Sequence, residues 1–375
     1  MNPVRVLQIT DNMNRGGIET FIMNVYRSLD RDKIQFDFLI SEPSKCDYEE
    51  EILSLGGRIF KIPPKSHGLK QFIKNSNAFA KDYSDYTTIH IHSSSVLSSL
   101  SWLFTNFRKH PHKLLHSHNT ESPRDLKGFS KKVGQFFLQR GYQGLFACSM
   151  AAGEWMFGKQ ALKTPHYQMI KNGIDPAAFY YEEETRKKLR EALNIDQQLV
   201  IGHIGRFNEQ KNHAFILETF KNVHDADPEA VLLLIGQGEL LEEMQEKSKN
   251  LGLVDAVRFL GVRRDINELL NAMDIFFMPS LFEGLPVVGV EAQATGLPLL
   301  LSSNITPEVD ISGQALFKSL EAPIEEWCEA LLTVSGNDRK AAARNIIEKG
   351  YSIKGIAKEL ADIYLKGQEK EDRYG

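Results

Sequence analysis

Short apolar runs alternate with amphipathic helical segments along this chain, and the whole alternation occurs twice. In the first half, residues 4–9 read as a strand and residues 18–29 as a helix with Phe21, Ile22, Val25 and Leu29 on one face. Further strands are expected at 36–40, 58–62, 88–92, 113–117 and 144–148, with helical segments between most of them. The second half repeats the theme, with strands at 199–204, 230–235, 257–260, 275–278 and 299–302 and helices at 213–224, 239–250, 265–272 and 288–295. Such alternation predicts an α/β protein whose mostly parallel sheets are covered on both faces. The halves part near Lys171-Asn172-Gly173-Ile174-Asp175-Pro176, where Gly and Pro punctuate the chain. The expectation is two doubly wound, Rossmann-like domains, residues 1–172 and 173–349, facing across a cleft with ligands at the strand ends. The charged run 182–190 is expected to be an exposed helix, and the polar tail 369–375 to fray.

A chain of 375 residues can build a core in each of two domains. Its net charge of −4 gives no electrostatic reason to expect nucleic acid as a partner. Cys46, Cys148 and Cys328 are far apart, show no metal-ligand spacing, and suit buried thiols in a reducing compartment. Residues 1–10 carry no signal-peptide pattern, and no apolar stretch reaches the roughly 18–20 residues that span a bilayer. A cytoplasmic protein is expected, with attachment to the inner face of the cell membrane left open.

The densest chemistry lies in Glu283-Gly284-Leu285-Pro286-Val287-Val288-Gly289-Val290-Glu291-Ala292, just past the apolar strand 275–278. Both glutamates have apolar or small neighbours, which argues for partial burial, and a buried carboxylate needs partners such as sugar hydroxyls. Their spacing alone does not place both on one ligand, and two surface glutamates remain the plain alternative. After strand 199–204 comes Gly205-Arg206-Phe207-Asn208-Glu209-Gln210-Lys211-Asn212. Here a glycine frees the turn, and Arg206 and Lys211 offer a fork and a point charge for phosphate oxygens; solvated surface charge is the competing reading. After strand 4–9, Gly16-Gly17 lets the backbone approach a ligand before a helix begins, though a plain turn would look the same. The G-x-G-x-x-G spacing of dinucleotide binders is absent there.

His90 and His92 share one strand face, as do His116 and His118. His118 sits where its strand reaches the expected cleft and suits a hydroxyl contact or proton movement. Structural roles compete, above all for His90 and His116. No His/Asp/Glu set shows a metal-motif spacing. Residues 127–140 set Phe129, Val133, Phe136 and Phe137 on one helical face beside Lys131, Lys132 and Arg140, with Arg108, Lys109, Lys113 and Arg124 nearby. Such a helix either lies on an anionic membrane or buries its aromatic face in its own domain; the second is the commoner arrangement.

Taken in order, these segments resemble the retaining glycosyltransferases of family 4, which have the GT-B fold. The resemblance rests on Gly16-Gly17-Ile18-Glu19, the His118 region, Asn172-Gly173-Ile174-Asp175, Gly205-Arg206 with Lys211, Gly236-Gln237-Gly238-Glu239, and residues 283–291, and covers essentially the whole chain. Within the family the chain is similar to bacterial exopolysaccharide and capsule transferases. The resemblance implies transfer of a sugar, with retained configuration, from a nucleoside-diphosphate donor (a UDP-sugar favoured) to a hydroxyl of a saccharide or lipid-linked saccharide. It implies that Gly17, beside Gly16, turns an amide to the donor phosphates and that Arg206 and Lys211, after Gly205, hold the leaving diphosphate. It also implies that Glu291 bonds the ribose, Glu283 and the segment Gly284, Leu285 and Val287 hold the donor sugar, and His118 contacts that sugar. Val262 would approach the base, and the last helix, at about 350–375, would return to the first domain. No cofactor and no metal are implied. A nucleotide-sugar 2-epimerase and a non-catalytic nucleotide-sugar-binding module are the rival readings.

Overall fold

Parallel strands buried on both faces need near-continuous apolar runs, and both halves of the chain supply them. The computed structural model describes residues 3–107, 111–120, 125–333, 339 and 342–372. Its first half runs β1 (Val4–Thr10), α1 (Gly17–Ser28), β2 (Ile34–Ile40), α2 (Glu49–Ser54), β3 (Arg58–Lys61), α3 (Leu69–Asp82), β4 (Thr88–Ser93), α4 (Val96–Leu103), β5 (His112–Ser117), α5 (Gly128–Gly141), β6 (Gly144–Ala147), α6 (Met150–Phe157) and β7 (Tyr167–Met169). These strands form a parallel sheet in the order β3-β2-β1-β4-β5-β6-β7.

The second half runs α7 (Glu183–Leu193), β8 (Val200–Ile204), α8 (His213–Ala226), β9 (Val231–Ile235), α9 (Leu241–Asn250), β10 (Val257–Gly261), α10 (Ile266–Ala272), β11 (Ile275–Met278), α11 (Val287–Ala294), β12 (Leu299–Ser302), β13 (Ala315–Lys318), α12 (Ile324–Thr333) and α13 (Ala342–Glu348). Its parallel sheet has the order β10-β9-β8-β11-β12-β13. Side chains alternate across this sheet. Ile201, Leu232, Leu234, Ile275, Phe277 and Leu300 pack with α8 and α12 on one face. Val200, Val231, Leu233, Phe276, Met278 and Leu301 pack with α10 and α11 on the other. Each such buried Leu or Phe contributes roughly 2 kcal/mol.

The chain divides into two units, Met1–Gly173 with Ile353–Gly375 and Ile174–Ser352. The last helix, α14 (Ile353–Asp372), belongs to the first unit, where it packs on α1, β1 and β4. In each sheet the winding direction reverses once, between β1 and β4 and between β8 and β11. The strand ends flanking such a reversal open a crevice in which open α/β sheets bind ligands.

Several expectations need correction. β7 and β13 were not expected; both are edge strands of three or four residues, too short to carry a period. The charged helix α7 is not simply exposed, because Arg186 and Arg190, one turn apart, both bond Asp274 just before β11. The tail does not fray at 369, since α14 continues through Asp372, and 373–375 lie outside the described residues. Arg108, Lys109 and Arg124 lie outside them as well. Among the described residues no helix is long and apolar enough to cross a membrane. All three cysteines are free and buried.

One charge anchors the first three strands. Asp37 on β2 is fully buried and accepts hydrogen bonds from Arg5 Nε (2.7 Å), Arg58 Nη2 (2.6 Å), the Arg58 amide (2.9 Å) and the Tyr86 hydroxyl (2.7 Å). Burial alone would push this carboxyl up, but the bonds from Arg5, Arg58 and Tyr86 outweigh it and hold it down to about 2. Its stabilisation is therefore present above the unfolded-state value and lost as pH falls from about 4 towards 2. Asp37→Asn is expected to lower unfolding free energy at pH 7 by on the order of 2 kcal/mol. In urea titrations the gap to the native protein should narrow steadily below pH 4; a gap independent of pH would remove this role.

Candidate active site

The loops after β8 and β11 meet at the reversal point of the second sheet. Gly205 follows β8 and bonds its amide to the Ile235 carbonyl at 2.9 Å. A side chain there would press on His203 Nε2 (2.9 Å) and on the Lys211 stem (3.2 Å). The loop after β9 braces the same turn. The Phe207 amide bonds the Gln237 carbonyl at 3.0 Å, and the Leu240 amide bonds the Phe207 carbonyl at 3.0 Å. Gly236, at φ 139°, lies so close that a Cβ would stand 2.0 Å from the Gly205 carbonyl oxygen, so only glycine fits. The side chain of Asn208 then caps a short 3₁₀ turn, 209–211, by accepting from the Lys211 amide at 3.2 Å.

That turn delivers Lys211 to Glu283. Lys211 Nζ stands 2.6 Å from Glu283 Oε1, with the two side chains only 15% and 9% exposed. Gln210 ties the two loops together: its Nε2 donates to the Phe282 carbonyl (2.9 Å) and to Glu283 Oε2 (3.2 Å), while its carbonyl accepts from the Leu281 amide (2.8 Å). Sequence reasoning did not single out Gln210 or Asn208; their position inside the Arg206–Lys211 segment was the available signal. Arg206 has a different setting. It is exposed and lies 3.5 Å from exposed Glu239. The two cations expected to share one target thus have separate partners.

Past Glu283, Gly284, Leu285 and Val287 are buried, and α11 begins at Val287 with Pro286 as its cap. The first amides of a helix lack intrahelical acceptors. Glu291 follows in the second turn, 8% exposed, and its carboxylate makes no hydrogen bond or ion pair among the described residues. Burial pushes it up to about 7. The two glutamates expected to be partly buried are both buried, but one is paired and the other is not. Val262, just past β10, is about a third exposed, and its neighbour Arg263 donates from Nε to Asp265 at 2.8 Å.

In the N-terminal unit, Gly16 caps α1. Glu19 folds back over it, so closely that a Cβ at position 16 would meet Glu19 Oε2 at 2.4 Å. A Cβ at Gly17 would meet nothing within 4 Å, so this position faces open space. His90 and His92 on β4, His116 on β5 and His118 just past it are all buried; His90 and His116 stack with planes 4° apart. Burial holds all four neutral, with His90 and His118 pushed down to about 3. His92 Nε2 donates to Gln8 Oε1 at 2.9 Å, so His92 Nδ1 carries the lone pair and accepts from His118 Nε2 at 2.9 Å. His90 Nδ1 lies 2.7 Å from the Tyr364 hydroxyl of α14. His90, His92 and His116 each present a ring nitrogen within 4.8 Å of the others. A spacing search could not see this trio, because it spans two strands. Nor does α5 bury its aromatic face: Phe129, Val133, Phe136 and Phe137 are exposed.

Two doubly wound parallel units in one chain, each sheet reversing its winding once, are the architecture of the GT-B fold. The chain matches "Glycosyltransferase Family 4" over residues 15–178 and "Glycosyl transferases group 1" over residues 185–369. It belongs to glycosyltransferase family 4. It is 35% identical over 380 residues to the putative glycosyltransferase EpsF of Bacillus subtilis, covering 98% of each chain. It is also 28% identical over 209 residues to the UDP-Gal:alpha-D-GlcNAc-diphosphoundecaprenol alpha-1,3-galactosyltransferase of Escherichia coli, covering 52% of this chain and 53% of that one. In fold it is similar to Anabaena HepE, crystallised with UDP and glucose, at a TM-score of 0.76 and 18% identity over 96% of this chain and 98% of that one.

Glu291 yields a direct test. A carboxyl raised in the folded state stabilises fully below its unfolded-state value, and that contribution is lost as pH rises through about 7. Glu291→Gln removes the buried charge while keeping the shape. Without ligand, the variant is expected to match the native protein at pH 5 and to exceed it by on the order of 3 kcal/mol at pH 8. Urea unfolding at the two pH values checks this; a difference that does not change with pH would show that Glu291 does not ionise from a buried setting.

Proposed function

We propose that this glycosyltransferase moves a sugar, with retained anomeric configuration, from a nucleoside-diphosphate sugar to a hydroxyl of a lipid-linked saccharide, without a metal or other cofactor. The observation that carries the reading is the Lys211–Glu283 pair, held by Gln210 a few residues before Glu291, which has no partner among the described residues. A UDP-sugar is the favoured donor and the second unit its binding domain; the N-terminal unit serves the acceptor. Support comes from the relatives, one named for transfer from UDP-Gal to a diphosphoundecaprenol-linked sugar and one crystallised with UDP and glucose.

In this reading Glu291 accepts hydrogen bonds from the ribose hydroxyls, which supply the partners its carboxylate lacks. Glu283 holds Lys211 in place and turns its remaining acceptor capacity to hydroxyls of the donor sugar, beside Gly284, Leu285 and Val287. The bond between the anomeric carbon and the diphosphate oxygen breaks, leaving its electron pair on that oxygen. Lys211 and Arg206, with helix-start amides and Gly17, stabilise the charge that develops there. The acceptor oxygen bonds the anomeric carbon on the same face, and its proton passes to the departing phosphate oxygen. His118 positions the sugar through Nδ1. Val262 lies against the base. Fixed cations neutralise the leaving group, so no divalent ion is required.

The deciding experiment is a nucleotide-sugar panel with membrane extract as acceptor, following nucleoside-diphosphate release and the product's anomeric configuration by NMR. Release that requires acceptor, retained configuration and indifference to chelator are the expected results. Conversion of the sugar without acceptor would instead indicate an epimerase, and binding without turnover a non-catalytic module. Lys211→Gln, which keeps a donor for Glu283, is expected to lower kcat roughly 10²–10³-fold while nucleotide affinity changes far less. Equal losses in affinity and turnover would argue against a transition-state role for Lys211.

A further inference from the structure

The apolar stripe of α5 faces away from its own domain. The packing face of the helix is made of small and aliphatic residues instead. A Cβ on Gly134 would stand 2.7 Å from Val96 Cγ1, and one on Gly141 2.1 Å from Leu103 Cδ1, so α5 is seated on α4 through glycines. Leu138 completes that buried edge. On the other side Phe129, Val133, Phe136 and Phe137, at spacings of four, seven and eight from the first, are 82%, 39%, 48% and 46% exposed. Three exposed phenylalanines on one helix are costly to leave in water, and contiguous patches of this kind mark interaction surfaces.

The charges around the stripe name the partner. Residues 126–153 carry four basic side chains, Lys127, Lys131, Lys132 and Arg140, and no acidic one. Lys127, Lys132 and Arg140 are exposed. The Arg140 guanidinium lies over the Phe136 ring at 3.6 Å, keeping a cation beside the apolar stripe. Exposed aromatic rings beside exposed cations match the boundary between acyl chains and anionic headgroups.

We propose that the outward face of α5 docks on an anionic phospholipid bilayer, with Phe129, Phe136 and Phe137 entering the headgroup boundary and Lys127, Lys132 and Arg140 meeting lipid phosphates. The proposal deepens, and for its use rests on, the reading that the acceptor is lipid-linked. The surface itself is tested without any sugar transfer.

The full chain is sedimented with vesicles of phosphatidylcholine alone and with vesicles containing about 30% phosphatidylglycerol, at low and high salt. Binding only to the anionic vesicles, weakened by salt, is expected. Phe129→Ser with Phe136→Ser, and separately Lys127→Ser with Lys132→Ser, should each weaken it roughly tenfold or more. Melting temperature and transfer to a water-soluble acceptor should not change in either variant. Absence of binding to anionic vesicles, equal binding by the variants, or a native dimer in light scattering that the variants dissociate would each overturn the proposal. Lost vesicle binding with intact transfer refutes only this surface; vesicle binding without transfer refutes only the enzymatic reading.

Discussion

The second unit is organised around the ion pair between Lys211 and Glu283. The two residues are 72 positions apart and belong to loops behind β8 and β11, strands that become neighbours only because the winding reverses between them. Removing two charges from water is expensive, and their attraction compensates only when the remaining hydrogen-bonding capacity is also satisfied. Gln210, next to Lys211, meets that condition by bonding the Glu283 carboxylate and the backbone of Leu281 and Phe282 just before it. The loop around Gly236 braces residues 205–207, which lead into the turn that carries Lys211. Such rigidity supports the proposed electrostatic role, because a pre-placed charge spends no reorganisation energy as a leaving group departs.

Glu291 shows the opposite solution to the same burial problem. It lies on α11 a few residues from Glu283, equally hidden, yet among the described residues no side chain bonds it. A stability argument alone would replace it with glutamine. A carboxylate kept in such a place is a cost to the empty protein, relieved by whatever brings hydroxyl donors to it. The two carboxylates therefore differ in what they need: Glu283 has its partners within the fold, and in the proposed reaction Glu291 takes them from the ribose.

Both sheets and their parallel winding were legible in the sequence, because a buried parallel strand is written as an unbroken apolar run such as Ile275-Phe276-Phe277-Met278. The burial of Glu283 and Glu291 was legible from their apolar neighbours. What escaped was everything that depends on direction or on pairs from different strands. Periodicity put Phe129, Val133, Phe136 and Phe137 on one face of α5 but could not say which face points inward. Gly134 and Gly141 decided that, because only a small residue lets α5 approach α4. Likewise, Arg186 and Arg190 look like surface charges until Asp274 is brought to them by the fold.

The histidines of the first unit show how a pairing between strands assigns chemistry to a single atom. Cross-strand register sets Gln8 beside His90 and His92 beside His116. The amide oxygen of Gln8 can only accept, so His92 Nε2 must carry its proton and Nδ1 must be bare. His118 then has to donate from Nε2, which leaves its Nδ1 as a hydrogen-bond acceptor. Burial keeps the imidazoles neutral, so this tautomer persists through the physiological range. Tyr364 on α14 anchors the adjacent His90. A buried relay beginning at Gln8 therefore suits His118 to receive a hydroxyl proton in a hydrogen bond. The low affinity of His118 for a full proton fits the proposed role of positioning a sugar better than that of a general base.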